Sequence, residues 1–129
     1  MAIQLLVGEW EGEMGGKPLQ VVISEISADN TVSGYNVLGS NKRPVEGTCT
    51  VATIDQYCAI AYDVKLNEPS DDEWDGVFSI RFTGWFVQEE GEDGLECLEE
   101  EGLESFEGFG NWKSNNGKLE REFDLLPKY

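Results

Sequence analysis

Short runs of alternating apolar and polar residues, each broken by a glycine beside an aromatic ring, recur along this chain from Trp10 to Phe123. Gly8-Glu9-Trp10-Glu11-Gly12, Val32-Ser33-Gly34-Tyr35, Trp74-Asp75-Gly76-Val77-Phe78 and Phe109-Gly110-Asn111-Trp112 are the clearest cases. A period of two puts apolar side chains on one face of a strand and polar ones on the other. Glycine inside a strand weakens it unless a bend or a close approach needs the space. Repeated through one hairpin after another, the pattern restricts the chain to an antiparallel sheet with one aromatic face. An open sheet of that length buries its edges by closing on itself.

The alternation predicts about eight strands in sequence. Leu6 to Met14 carries Leu6, Trp10 and Met14 on one face and Glu9, Glu11 and Glu13 on the other. Strands over residues 19–27 and 31–38 flank a tight Asp29-Asn30 reversal. Residues 45–54 and 58–66 follow, with a turn expected at Asp55-Gln56 that pairs Thr53 with Cys58, Val51 with Ile60 and Cys49 with Tyr62. Residues 67–73 read as an acidic loop. The cleanest strand then runs from Trp74 to Gly84, and Trp85 to Gln88 extends or restarts it. Residues 89–105 are heavily acidic with little strand signal; they read as an elaborated loop, with a short amphipathic helix over 95–103 as an option. The last hairpin, residues 106–113 and 118–126, turns at Asn116-Gly117 and sets Lys113 across from Glu120, Trp112 from Arg121 and Asn111 from Glu122. The expected fold is all-β: a single domain over 1–129, an up-and-down antiparallel barrel of about eight strands.

Composition narrows the function. The 129 residues carry 26 acidic and 9 basic side chains, a formal charge of −17. Such a surface repels phosphate backbones and anionic lipid, so neither nucleic acid nor membrane is an expected partner, and a basic protein is. Histidine is absent, which removes the usual neutral-pH general base and the commonest metal ligand. Neither a phosphate-binding glycine loop nor a nucleophile elbow occurs, and a calcium-loop alignment around Gly94 fails because Gly91 replaces an oxygen donor. No enzyme and no cofactor are expected. The three cysteines, Cys49, Cys58 and Cys97, leave at least one unpaired. Buried free thiols in a reducing, cytoplasmic setting are the first reading, supported by an N-terminal stretch without the basic region of a secretory signal; a Cys49–Cys58 bridge is the alternative.

The Gly-x-Trp-x-Gly opening, Val32-Ser33-Gly34-Tyr35, the acidic approach to Trp74-Asp75-Gly76-Val77-Phe78, and Trp112-Lys113-Ser114 together resemble the avidin/streptavidin group. That group belongs to the calycin barrels, with the lipocalins. The resemblance implies a barrel holding a small ligand at its mouth, with Trp74 and Trp112 as pocket tryptophans and Tyr35, Ser70 and Glu120 as polar contacts. Gly12 stands where the group has an asparagine, and Ala61 or Tyr62 where it has a pocket tryptophan.

From the residues alone, Trp10, Tyr62, Trp74, Phe82 and Trp112 face inward and either line a cavity or fill it, since an eight-stranded barrel is only just wide enough for its own side chains. Arg121, across from Trp112, is expected to pack over an N-terminal tryptophan as closing-strand arginines do in calycins, or to turn inward toward a carboxylate such as Glu46 or an anionic ligand. The functional expectation is a non-enzymatic module binding a small apolar or cyclic ligand through Trp10, Tyr35, Ser70, Trp74, Trp85, Trp112, Glu120 and Arg121. The alternative is a protein-interaction domain, an inhibitor or a self-associating subunit. It would use the 89–105 segment or an outer face with Val22, Ile26 and Val77 exposed.

Overall fold

The computed structural model describes residues 2–52, 58–68, 76–92 and 94–128, with side chains at all of these but 2, 3, 95 and 99–102. Strands β1 (Gly8–Met14), β2 (Lys17–Ile26), β3 (Thr31–Leu38), β4 (Asn41–Ala52), β5 (Ala59–Asn67), β6 (Gly76–Gly91), β7 (Gly94–Ser114) and β8 (Glu120–Pro127) follow one another. Each pairs antiparallel with the next, and β8 returns to β1 to close the barrel. This is the up-and-down barrel that the alternation predicts.

The inner face is packed. Val21, Val32, Leu66, Phe82 and Leu125 are fully inaccessible. Trp10 leans on Phe82 with ring centroids 4.5 Å apart and meets Phe106 edge-on at 5.3 Å, while Phe78 meets Phe123 at 5.8 Å. Such offset and edge-on contacts suit the ring quadrupoles. Trp10, Tyr62 and Phe82 are therefore core, the filled alternative for an eight-stranded barrel.

The strand glycines make this packing possible in two ways. At Gly12, Gly34 and Gly47 a Cβ would sit 2.0, 1.9 and 1.6 Å from a carbonyl oxygen of the neighbouring strand. These are places where the sheet coils so sharply that only hydrogen fits. At Gly108 a Cβ would fall 2.9 Å from the Phe82 ring, so the missing side chain is the room the ring occupies. Across the β6–β7 ladder, Gly108 and Phe82 are thus a matched pair: one side chain removed, one enlarged.

Four local expectations are corrected. The β4–β5 ladder pairs Cys49 with Val64 and Val51 with Tyr62, two residues off the expected register. A shift of two keeps every side chain on its face, so the alternation does not distinguish the two registers. The ladder ends at Ala52–Ala61, and residues 53–57, including the expected turn, lie outside the described residues. Second, the acidic 89–105 segment is neither loop nor helix: β6 and β7 continue past the barrel as a hairpin through Gln88–Cys97, Glu89–Glu96 and Gly91–Gly94. Third, Cys58 pairs with Cys97 in a disulfide, leaving only Cys49 as a free, buried thiol among the described residues. Neither three free thiols nor a Cys49–Cys58 bridge is formed; Cys97 comes within reach because the segment carrying it is a strand. Fourth, the outward apolar surface expected at Val22, Ile26 and Val77 is not exposed. A bulge between Ile23 and Glu25 turns Ile26 inward, Val22 lies buried between Glu9 and Tyr35, and Val77 is half-buried.

Candidate functional site at the barrel mouth

One end of the barrel is plugged by its own chain. A 3-10 turn, Ala2–Leu6, lies across it. The Trp10 indole N–H donates to the Leu6 carbonyl at 3.0 Å, Leu6 is fully buried, and Gln4 Nε2 donates to the Ile26 carbonyl at 3.2 Å. The β1–β2, β3–β4 and β7–β8 turns gather at the opposite end.

There the packing stops short and leaves a pocket of about 140 Å³ lined by Met14, Asn36, Leu38, Asn41, Arg43, Glu68, Phe78 and Trp112. Its position follows from the strands: Met14 and Leu38 end β1 and β3, Asn41 and Arg43 begin β4, Phe78 lies near the start of β6 and Trp112 near the end of β7. Apolar and aromatic side chains line it and a few polar groups converge, the usual make-up of a small-molecule site.

Glu68 organises the polar side. It follows β5 and is buried at 8% exposure. Its Oε1 accepts the Trp112 indole N–H at 2.7 Å and the Gly76 amide at 3.1 Å, and its Oε2 lies 3.7 Å from Arg43 Nη1. These donors and the nearby cation replace the water that a buried carboxyl group loses. The carboxylate fixes the Trp112 ring and ties the start of β6 to the end of β5, where the Glu68 amide also donates to the Gly76 carbonyl at 3.0 Å. Asn36 is the other buried polar residue of the pocket, 3% exposed and directly across from Arg43 in the β3–β4 ladder. Its Nδ2 makes no hydrogen bond among the described residues.

Of the residues expected to bind ligand, Trp112 lines the mouth and Arg121 stands at its rim. Arg121 is exposed; its Nη1 donates to the Glu120 carbonyl at 2.9 Å and its side chain passes over Gly15. It is across from Trp112 as expected, yet neither turned inward nor over Trp10, whose β8 partner is Pro127, six residues further along. Trp10 belongs to the plugged end. Tyr35 is on the outer face, under the Lys42 ammonium at 4.0 Å from the ring centroid. Glu120 is exposed and accepts from Asn111 Nδ2 at 3.1 Å. Trp85 is half-buried, paired with Ala59 and Ser105 where β6 bulges. Ser70 and Trp74 lie outside the described residues.

Asn36, Arg43 and Glu68 were missed. Asn36 was legible, two residues beyond Gly34 and therefore on the inner face, where a polar side chain is conspicuous. Glu68 was not, because its partner Trp112 is 44 residues away.

Cys49 and Asp63 are among the titratable groups displaced from their ordinary range. Burial, then the Asp63 charge, pushes the Cys49 thiol up to about 11. On the outer face, the Arg81 guanidinium grips Asp63 through bonds of 2.7 and 2.9 Å and lowers its carboxyl.

Comparison with protein-family models, with curated proteins and with solved structures finds no match to this chain. The antiparallel eight-stranded closed barrel is consistent with the calycin architecture.

Proposed function

We propose that this chain is a non-enzymatic binding module of avidin- or lipocalin-like design that takes a small ligand at the open mouth of its barrel. The observation that carries the reading is the pocket itself: about 140 Å³, walled by Met14, Leu38, Phe78 and Trp112, beside the Glu68–Arg43 pair and Asn36. Dry cavities of roughly 150 Å³ hold a benzene-sized guest. The filled barrel centre restricts the ligand to that size and keeps it near the rim. Trp112, one of the tryptophans that the avidin resemblance implies, lines this pocket and supports the reading.

The test is a fragment titration, biotin included, followed by amide and indole resonances. Binding is expected to shift the Trp112 indole N–H and to leave that of Trp10, sealed under Leu6, unmoved. If no fragment moves any resonance of the mouth, the reading fails.

One observation favours a second reading, a protein-interaction surface. Phe109 is 57% exposed on the outer face, in a row with Asp63 and Arg81 across β5, β6 and β7. Large exposed rings are often contact points. Sedimentation of wild type against Phe109→Ser tests self-association there; a monomer in both removes it.

A further inference from the structure

Resting on the mouth-pocket reading, we infer that the ligand is a small, flat, uncharged molecule carrying a carbonyl-type oxygen, and that this oxygen is held by Asn36 Nδ2. The requirement for an acceptor comes from what the pocket has already used. Glu68 Oε1 serves the Trp112 indole and the Gly76 amide, and Oε2 faces Arg43. The carboxylate is already partnered within the protein through two hydrogen bonds and one ion pair. Asn36 is the opposite case: the residue is 3% exposed, lines the pocket, and has a buried Nδ2 without a partner among the described residues. A buried N–H group without an acceptor is costly, and a guest that supplies one recovers that cost on binding.

Charge decides between a neutral and an anionic acceptor. Asn36 and Arg43 stand directly opposite one another in the β3–β4 ladder, so an oxygen reaching Asn36 comes within the field of the guanidinium. That guanidinium already faces the Glu68 carboxylate. An anionic guest would compete for it, set two negative charges in one small apolar pocket, and approach a chain of net charge −17. A carbonyl dipole takes the hydrogen bond without that repulsion. The body of the guest is set by the walls: Phe78 and Trp112 offer ring surface, Met14 and Leu38 flexible aliphatic contact, and the volume admits about one ring with a short substituent.

The experiment uses three probes of similar size: acetophenone, a neutral ketone; ethylbenzene, without an acceptor; and benzoate, an anion. Each is titrated into the whole protein and read by shifts of the Trp112 indole N–H and the Asn36 side-chain amide. Acetophenone is expected to bind at least about tenfold more tightly than ethylbenzene and to outrank benzoate. Asn36→Leu, which keeps the size and removes the donor, is expected to bring acetophenone down to the ethylbenzene level and leave ethylbenzene unchanged. Should Asn36→Leu fail to fold, the ranking on wild type decides alone. Equal binding of acetophenone and ethylbenzene, both shifting Trp112, overturns the acceptor inference and leaves the pocket reading standing. A first rank for benzoate overturns the neutral class. Silence of the mouth to all three refutes the pocket reading and this inference with it.

Discussion

The Cys58–Cys97 disulfide makes a quantitative prediction. It joins residues 39 apart in sequence and ties the β6–β7 extension to the beginning of β5, beside the hydrogen bond from the Phe86 amide to the Cys58 carbonyl at 2.8 Å. Closing a loop of that length in the unfolded chain removes entropy equivalent to about 4 kcal/mol at room temperature on the chain-entropy argument. The double variant Cys58→Ser, Cys97→Ser leaves no stray thiol partner and is expected to lose close to that amount. For a chain of this size the loss corresponds to about 15 °C in Tm. Urea unfolding of the oxidised wild type and of the variant measures it, and the variant should also show a steeper denaturant dependence, because its unfolded chain is more expanded. Wild type unfolded in the presence of a thiol reductant should match the variant. A loss below about 1 kcal/mol with an unchanged slope would refute the entropic reasoning and would mean that strain or residual structure offsets the link.

Three other outcomes are expected. Glu68→Ala leaves the Trp112 indole N–H and the Gly76 amide without their acceptor and should cost about 3 kcal/mol in urea unfolding, while Glu68→Gln, which keeps an acceptor oxygen, should cost less; equal losses would dismiss the hydrogen-bonding account. Gly47→Ala places a methyl group 1.6 Å from the Lys65 carbonyl oxygen, so β4 and β5 must part; a loss of about 3 kcal/mol or more is expected, and a neutral result would mean that the sheet coils less tightly there. Cys49, with its thiol raised to about 11, should resist iodoacetamide at pH 8 in the folded protein and react once urea unfolds it, since only about one thiol in a thousand is ionised at that pH; fast native labelling would contradict its burial.

The barrel was legible because period-two alternation survives in every strand that faces the core, and the register of the last hairpin was legible although its turn was not. Instead of a two-residue Asn116-Gly117 turn, the chain reverses through residues 115–118, with the Gly117 amide donating to the Ser114 carbonyl and the Ser114 amide to the Leu119 carbonyl, and this longer loop keeps the same pairing. Trp112–Arg121 and Lys113–Glu120 pair as expected. The β4–β5 register was not legible, since sliding by two residues leaves every side chain on its own face. The β6–β7 extension was hidden by its charge. Glu89 faces Glu96 directly, an arrangement that local propensity and cross-strand electrostatics both disfavour, and the strands beneath it and the disulfide beside it are long-range features. The mouth was half legible. Trp112 and the inner-face position of Asn36 follow from alternation, whereas the Glu68 contact joins the residue after β5 to a tryptophan 44 positions further along the chain.

The closure between β1 and β8 has a consequence of its own. The two strands meet at Trp10–Pro127, Glu11–Leu126 and Gly12–Leu125, and the Lys128 amide adds a bond to the Glu9 carbonyl at 2.9 Å. The Lys128 ammonium, 3.4 Å from Glu11 and 3.7 Å from Glu9, is half in solvent and adds little. With three paired positions against six or more in every other ladder, this seam is the one whose opening breaks the fewest strand pairings, and opening it would bare two complementary strand edges at once. Each is the natural partner of the other edge in a second molecule, so an opened barrel is primed for strand exchange between copies. The mutual repulsion of chains at −17 works against that encounter, and added salt weakens it. The acidity that seemed only to describe a surface thus also guards the joint that makes the sheet a barrel.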